Sequence, residues 1–128
     1  MNVFIATTSE NAEVAMSWAI KENITLACAW ILEFEDGDIP ENEFYARMLQ
    51  DAAQCDAFFF WPVQEMAVET DILATVLVAI GAALGAGKRV LYLDNGVFEV
   101  QPTVFQHNLV TFYGSLSEVT ESLKRHGA

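Results

Sequence analysis

Apolar positions are densest between Thr70 and Asp94, TDILATVLVAIGAALGAGKRVLYLD, and the rest of the chain is organised around this stretch. Asp71 and Lys88 bracket sixteen uncharged, mostly apolar residues. A membrane span needs about 18 or more. A helix apolar on every side is one covered on every side. The pattern therefore predicts a helix over 71–86, packed on a sheet on one face and on another helix or a second subunit on the other. Gly87-Lys88 closes it, and Arg89–Leu93 reads as a buried strand. Helix, glycine and buried strand form one half of a parallel βαβ unit.

The flanking pattern extends this unit in both directions. Asn2–Ala6 is a short apolar strand. Thr7-Thr8-Ser9 offers hydroxyls for a helix start, and Glu10 and Glu13 follow where the helix dipole favours acids. Ala12, Ala15, Met16, Ala19 and Ile20 recur at helical spacing. Ile24–Leu32 reads as a second strand, and Glu33–Glu43 as an acidic loop. Glu43–Gln54 reads as a helix with Phe44, Met48 and Ala52 one turn apart and a Glu43–Arg47–Asp51 charge ladder. The run Ala57–Trp61, AFFFW, does not alternate, which predicts a strand buried on both faces. Val63–Glu69 reads as a loop, Asn95-Gly96 as a turn, and Val97–Asn108 as an irregular flap or short helix. Leu109–Tyr113 is the fifth strand. Ser115 and Glu118 make a capping box for a last helix ending on Lys124, Arg125 and His126, ahead of Gly127.

Strands alternating with helices imply a parallel sheet covered on both faces. The expectation is a single flavodoxin-like, doubly wound α/β domain over residues 1–128, with five parallel strands in the order 2-1-3-4-5. Ligands of such folds bind beyond the carboxyl ends of the strands, where the order switches between the first and third. That rule nominates Ala6, Thr7, Thr8 and Ser9 after the first strand. It also nominates Trp61 through Asp71 after the third, and Asn95 after the fourth.

Charge narrows the list of partners. The net charge is −12, with fourteen acids against Lys21 and Arg47 in residues 1–71, and four acids against four bases in 72–128. Such a chain repels the phosphate backbone of nucleic acids. A small nucleotide held by backbone amides, or a basic protein partner, remains compatible. A hydrophobic fraction of 53% excludes disorder. Cys28 and Cys55 adjoin apolar strands and read as buried free thiols; with no leader-like segment ahead of the first strand, this predicts a cytoplasmic protein without a membrane anchor. His107 and His126 have no metal-ligand spacing, and the acidic 33–43 segment lacks that of a calcium loop. No metal or cofactor is expected.

Several short pieces occur in a meaningful order: Asp51-Ala-Ala-Gln-Cys-Asp56, a hydrophobic strand, Ile80-Gly81-Ala82-Ala83, then Gly87-Lys88-Arg89-Val90. This set, over residues 2–94, resembles the nucleoside 2-deoxyribosyltransferase-like family, whose motifs are Glu-x-Gly-x-Ala and Gly-Lys-Pro-Val. Asn108–Leu123 is compatible with the family's tail. The resemblance implies the same five-stranded fold and assembly as a dimer or larger. It also implies chemistry on the N-glycosidic bond of a nucleoside or nucleotide, through the Glu that opens the first motif. Here that position is Ala79. Alanine has no nucleophilic oxygen, so the implied protein is a divergent member that binds a nucleoside or nucleotide with the covalent route lost. Asp71 and Glu69 are the candidate substitutes for the missing acid. Ala6, Thr7, Thr8, Ser9, Trp61, Asp51 and Asn95 are the candidate substrate-binding residues. Each also has a plain structural role: helix cap, first-turn acid, charge ladder, sheet-end aromatic or turn. Three alternatives stand beside this reading. One is an active N-glycosidase or deoxyribosyltransferase using Asp71 or Glu69. Another is a flavodoxin-like binding protein, from the Thr7-Thr8-Ser9 loop and Trp61, although that loop lacks the usual glycine. The third is an acidic interaction module.

Overall fold

Ala57, Phe58, Phe59 and Phe60 have no solvent exposure at all. Neighbouring side chains of a strand point to opposite faces, so this strand is covered on both sides, as its lack of alternation predicts. The computed structural model describes residues 1–27, 40–68, 70–99 and 102–127. Five strands, β1 Asn2–Ala6, β2 Thr25–Leu26, β3 Ala57–Phe60, β4 Arg89–Leu93 and β5 Val110–Tyr113, form one sheet in the order β2-β1-β3-β4-β5. Every neighbouring pair is parallel, with Val3 opposite Ala57, Ala57 opposite Arg89, and Val90 opposite Val110. The helices are α1 Ser9–Lys21, α2 Glu41–Gln54, α3 Gln64–Val68, α4 Thr70–Gly85 and α5 Leu116–Gly127, with a 3₁₀ turn at Thr103–Gln106. This is the doubly wound, flavodoxin-like architecture and strand order expected.

Two helices cover the Phe59 face. Trp18 of α1 meets Phe59 edge-on at 5.4 Å and donates its indole N–H to Thr120 Oγ1 of α5 at 3.0 Å. Lys124 Nζ reaches Glu22 at 2.8 Å across the same seam and holds that carboxyl below its ordinary range. The opposite face carries the Phe4–Phe58 stack at 4.8 Å and lies under α2 and α4, which pack on each other. Met48 and Ala52 of α2 and Val76, Ala79, Ile80 and Ala83 of α4 belong to the same core.

The segment between β4 and β5 is the flap expected. Phe105 stacks on Phe60 at 5.4 Å and meets Tyr92 edge-on at 4.7 Å, while Phe98 lies 6.3 Å from Phe60. Two aromatic anchors thus cover the sheet where a crossover helix would otherwise lie.

Local signals explain the element ends. α4 stops because Gly87 takes φ +77°. Lys88 N then bonds to Ala83 O at 2.9 Å and Gly87 N to Leu84 O at 3.0 Å, the paired bonds of a Schellman ending. At α5, Glu118 N bonds to Ser115 Oγ at 3.2 Å, and the Glu118 carboxylate returns to Gly114 N at 2.8 Å. The capping box forms, with its carboxylate one residue further back than the standard pattern.

Three expectations are corrected. The acidic stretch does not stay a loop through Glu43, because α2 begins at Glu41 after Pro40, whose φ of −59° suits a helix entry. Residues 63–69 are not simply a loop, because Met66 is buried and winds Gln64–Val68 into a short helix. β3 ends at Phe60 and β5 begins at Val110, each one residue shorter than read. The second strand is described only over Thr25–Leu26; the rest of Ile24–Leu32 from Cys28 onward, with the acidic residues 33–39, lies outside the described residues.

Candidate functional site

The strand order reverses direction between β1 and β3, and their carboxyl ends are joined by one bond, Trp61 N to Ala6 O at 2.9 Å. Beyond Ala6 the chain turns through Thr7 and Thr8 into α1. Thr8 stands at the N-cap in extended conformation, φ −84° and ψ 161°, but its hydroxyl makes no capping bond. Its carbonyl accepts Asn11 N at 3.1 Å, and Asn11 Nδ2 donates to Thr7 Oγ1 at 3.0 Å. The hydroxyl-capping role expected of this segment is therefore replaced by an Asn11–Thr7 bond. Thr8 is buried and Thr7 half-buried, and Ser9 opens the helix.

Trp61 is half-buried and stacks on Phe59 at 5.7 Å, with Trp18 edge-on at 6.1 Å. It continues the aromatic core up to the edge of the sheet. Asn95 follows β4, where its Nδ2 donates to Pro62 O at 2.8 Å and its Oδ1 accepts Val97 N at 3.4 Å. Both ends of the amide are engaged, so Asn95 clamps the β3 and β4 exits together. Asp71 is exposed in the first turn of α4, and its carbonyl accepts the Thr75 hydroxyl at 3.0 Å.

Ala6, Thr7, Thr8, Ser9, Trp61 and Asn95 are thus gathered along one edge. Asp71 opens the helix that follows from it, through the short α3. Glu69 lies outside the described residues. Asp51 is not brought to this edge. It stands in the last turn of α2, which ends where β3 begins, so it lies towards the amino edge of the sheet. Its ladder partner Arg47 bonds to Glu43 at 2.8 Å.

Ala79 is not at the edge either. It lies nine residues beyond Thr70–Asp71's turn start, about 13 Å along the helix axis at 1.5 Å per residue, and is 1% exposed. The position matched to the family's Glu therefore faces the core. Glu65, inside the stretch nominated after the third strand, is half-buried in α3 as that helix leaves the same edge.

Other chemistry is remote. Burial pushes the Cys55 thiol up to about 11, and its Sγ donates to Ala52 O at 3.2 Å, so it is not a poised nucleophile. A groove of about 710 Å³ lies between α1 and α5, lined by Ser17, Trp18, Lys21, Thr120 and Lys124. A second, of about 440 Å³, lies beside Met1, Asn23 and Thr25. Neither includes a residue of the switch-point edge, and an open groove lacks the convergent donors of a binding site. Among the described residues no group of three or more His, Cys, Asp or Glu is arranged to hold a metal, and no helix is long and apolar enough to cross a membrane.

Fold and edge together define a doubly wound α/β protein, and in such folds ligands bind at a switch of this kind. No family model and no curated protein matches the sequence. Among solved structures, the chain is similar to the Clostridium botulinum CMP N-glycosidase BcmB, with a TM-score of 0.61 and 15% identity, covering 98% of this chain and 99% of that one. At this identity the likeness is one of fold, over the whole of both chains.

Proposed function

We propose that this protein binds a nucleoside or nucleotide at the carboxyl edge between β1 and β3, as a relative of the nucleoside 2-deoxyribosyltransferase-like proteins. The observation that carries the reading is the joined β1–β3 exit. Ala6 O and Trp61 N fix the two strand ends, Asn95 fixes the third exit on Pro62 O, and Trp61 offers an aromatic edge at the end of β3, packed on Phe59 and Trp18. The whole-chain likeness to an N-glycosidase supports it. In this reading no covalent sugar intermediate forms at position 79, since alanine cannot make a glycosyl ester and the residue faces the core.

The test is incubation with each common nucleoside and its 5′-monophosphate, followed by chromatography for free base and by equilibrium dialysis. Saturable binding, weakened in Thr7→Val and without free base, is the expected result. A second reading is favoured by the exposed Asp71 at the start of α4: glycosidic cleavage with that carboxylate in place of the family Glu. Free base that disappears in Asp71→Asn would establish this second reading. Absence of both binding and turnover would leave the acidic interaction module in front.

The proposal includes a second copy of the chain. Ala74, Val78, Gly81 and Gly85 form an exposed, uncharged stripe along α4, with exposed Tyr45 and Leu49 on the adjoining α2. A Cβ added at Gly81 or Gly85 would meet nothing within 4 Å, so the chain itself leaves this face open. For a chain of net charge −12, an uncharged surface is where self-association costs least. Light scattering is expected to give twice the chain mass or more; a monomer at micromolar concentration would rule the assembly out.

A further inference from the structure

Each long helix runs against the strands, so helix starts gather at the carboxyl edge of the sheet and helix ends at the amino edge. Five of the six Lys and Arg residues of the sequence gather at the amino edge. Lys21 closes α1, and Lys124 and Arg125 stand in the final turns of α5. Lys88 precedes β4 and Arg89 opens it, with its guanidinium reaching under α5 to Ser122 Oγ at 3.3 Å. These five belong to the amino edge. The sixth, Arg47, lies midway along α2 and is bonded to Glu43. His107 also lies at the amino side, just ahead of β5.

The carboxyl edge is the opposite. Glu10 and Glu13 in the early turns of α1, Asp71 at the start of α4, Asp94 after β4, Glu99 in the flap and Glu118 in the first turn of α5 are all exposed there. A nucleoside monophosphate arriving at the switch point meets this collar of carboxylates, with no lysine or arginine of its own chain within the edge to receive its phosphate. At the start of α1 the Asn11 amide is engaged by Thr8 O, and Glu10 and Glu13 add their charge to the same end of the helix.

Resting on the nucleoside-binding reading above, we propose that the site takes the uncharged nucleoside and rejects its 5′-monophosphate. This separates the chain from its structural neighbour, a CMP N-glycosidase. A phosphomonoester carries about −1.5 to −2 charge at neutral pH, and repulsion from several carboxylates within a Debye length of about 10 Å is summed over all of them.

The experiment is calorimetric titration of the full chain with cytidine against CMP and adenosine against AMP, in EDTA, at low and at high salt. At low salt the nucleoside is expected to bind of the order of tenfold more tightly, and added salt should narrow the gap by screening the carboxylates. Glu10→Gln with Glu13→Gln should raise monophosphate affinity severalfold and leave nucleoside affinity unchanged. A monophosphate bound as tightly as its nucleoside, or more tightly, overturns the proposal while leaving the nucleoside-site reading intact. So does a nucleoside preference that neither salt nor the double variant alters. If no ligand of either kind binds, the nucleoside-site reading itself fails and the selectivity falls with it.

Discussion

The Ala79→Glu variant is expected to lose several kcal/mol of stability and to gain no glycosidase activity. Ala79 is 1% exposed, and its neighbours on the inner face of α4 are Val76 at 8%, Ile80 at 0% and Ala83 at 0%. A carboxylate in that environment lacks both water and a cation, and the effective penalty for such an unpaired buried ion is several kcal/mol. Protonation would relieve the charge but leave the extra volume, itself about 1–3 kcal/mol in a packed core. Against a total stability of about 5–15 kcal/mol, this brings the chain near unfolding. The deficit should shrink as pH falls, because a carboxyl whose folded pKa is raised by burial is penalised only above its unfolded value. Urea unfolding at two pH values checks the size and the sign. A variant of unchanged stability that released free base would show that position 79 faces the ligand, and would restore the sequence match as a guide to the site.

Truncation of Phe60 is the second large effect. Phe60 is fully buried and touches Tyr92, Phe98 and Phe105, at ring separations of 5.2, 6.3 and 5.4 Å. Phe→Ala in a core costs about 3–5 kcal/mol. The site gives this loss a local signature. Phe98 and Phe105 hold the 97–108 flap to the sheet through Phe60 and Tyr92, so Phe60→Ala should also open the flap to limited proteolysis. Phe112→Ala is the control. Phe112 stacks on Tyr92 at 4.7 Å but is 41% exposed, and should cost well under half as much. Equal losses in the two variants, with the flap equally protected, would mean that the aromatic stack does not anchor it.

These two positions show what was legible in the sequence. The AFFFW run has few physical explanations other than burial on both faces, and the structure has all four β3 residues buried. The sixteen uncharged residues after Asp71 announced a helix packed on the sheet, although its Ala74, Val78, Gly81 and Gly85 stripe is exposed in the single chain, and the glycine at 87 announced its end. Ala79 shows the limit. An apolar helix with Gly and Ala at many positions has little phase information, so a motif can be matched to it without saying which face a given position presents. α3 was missed because five residues are too few to display a period. The Asn95 amide read as a turn signal, yet its bond to Pro62 O joins residues 33 apart in sequence, which no local pattern reveals. Asp51 looked like part of the site because it opens a family-like string. Only the direction of α2 shows that it belongs to the other edge. The charge collar was hidden for the same reason. The collar draws on both halves of the sequence, Glu10, Glu13 and Asp71 with Asp94, Glu99 and Glu118, while Glu22, Asp51 and Asp56 lie at the other edge, and this grouping follows from helix direction.

The parallel register has a kinetic consequence. No two paired strands are adjacent through a tight turn: β4 and β5 pair across 20 residues, Val90 to Val110, β3 and β4 across 32, and β1 and β3 across 54, Val3 to Ala57. Loop-closure entropy rises by only about 0.6 kcal/mol per doubling of loop length, but pairings so far apart still place the chain among slow-folding topologies. The strands nearest in sequence lie at the carboxy-terminal side of the sheet, and β1 is recruited to β3 over the longest separation. The switch point exists only once that longest closure is made. A partly folded chain in which β3, β4 and β5 are paired but β1 is still loose has a hydrophobic sheet, an unpaired β3 edge and no ligand site.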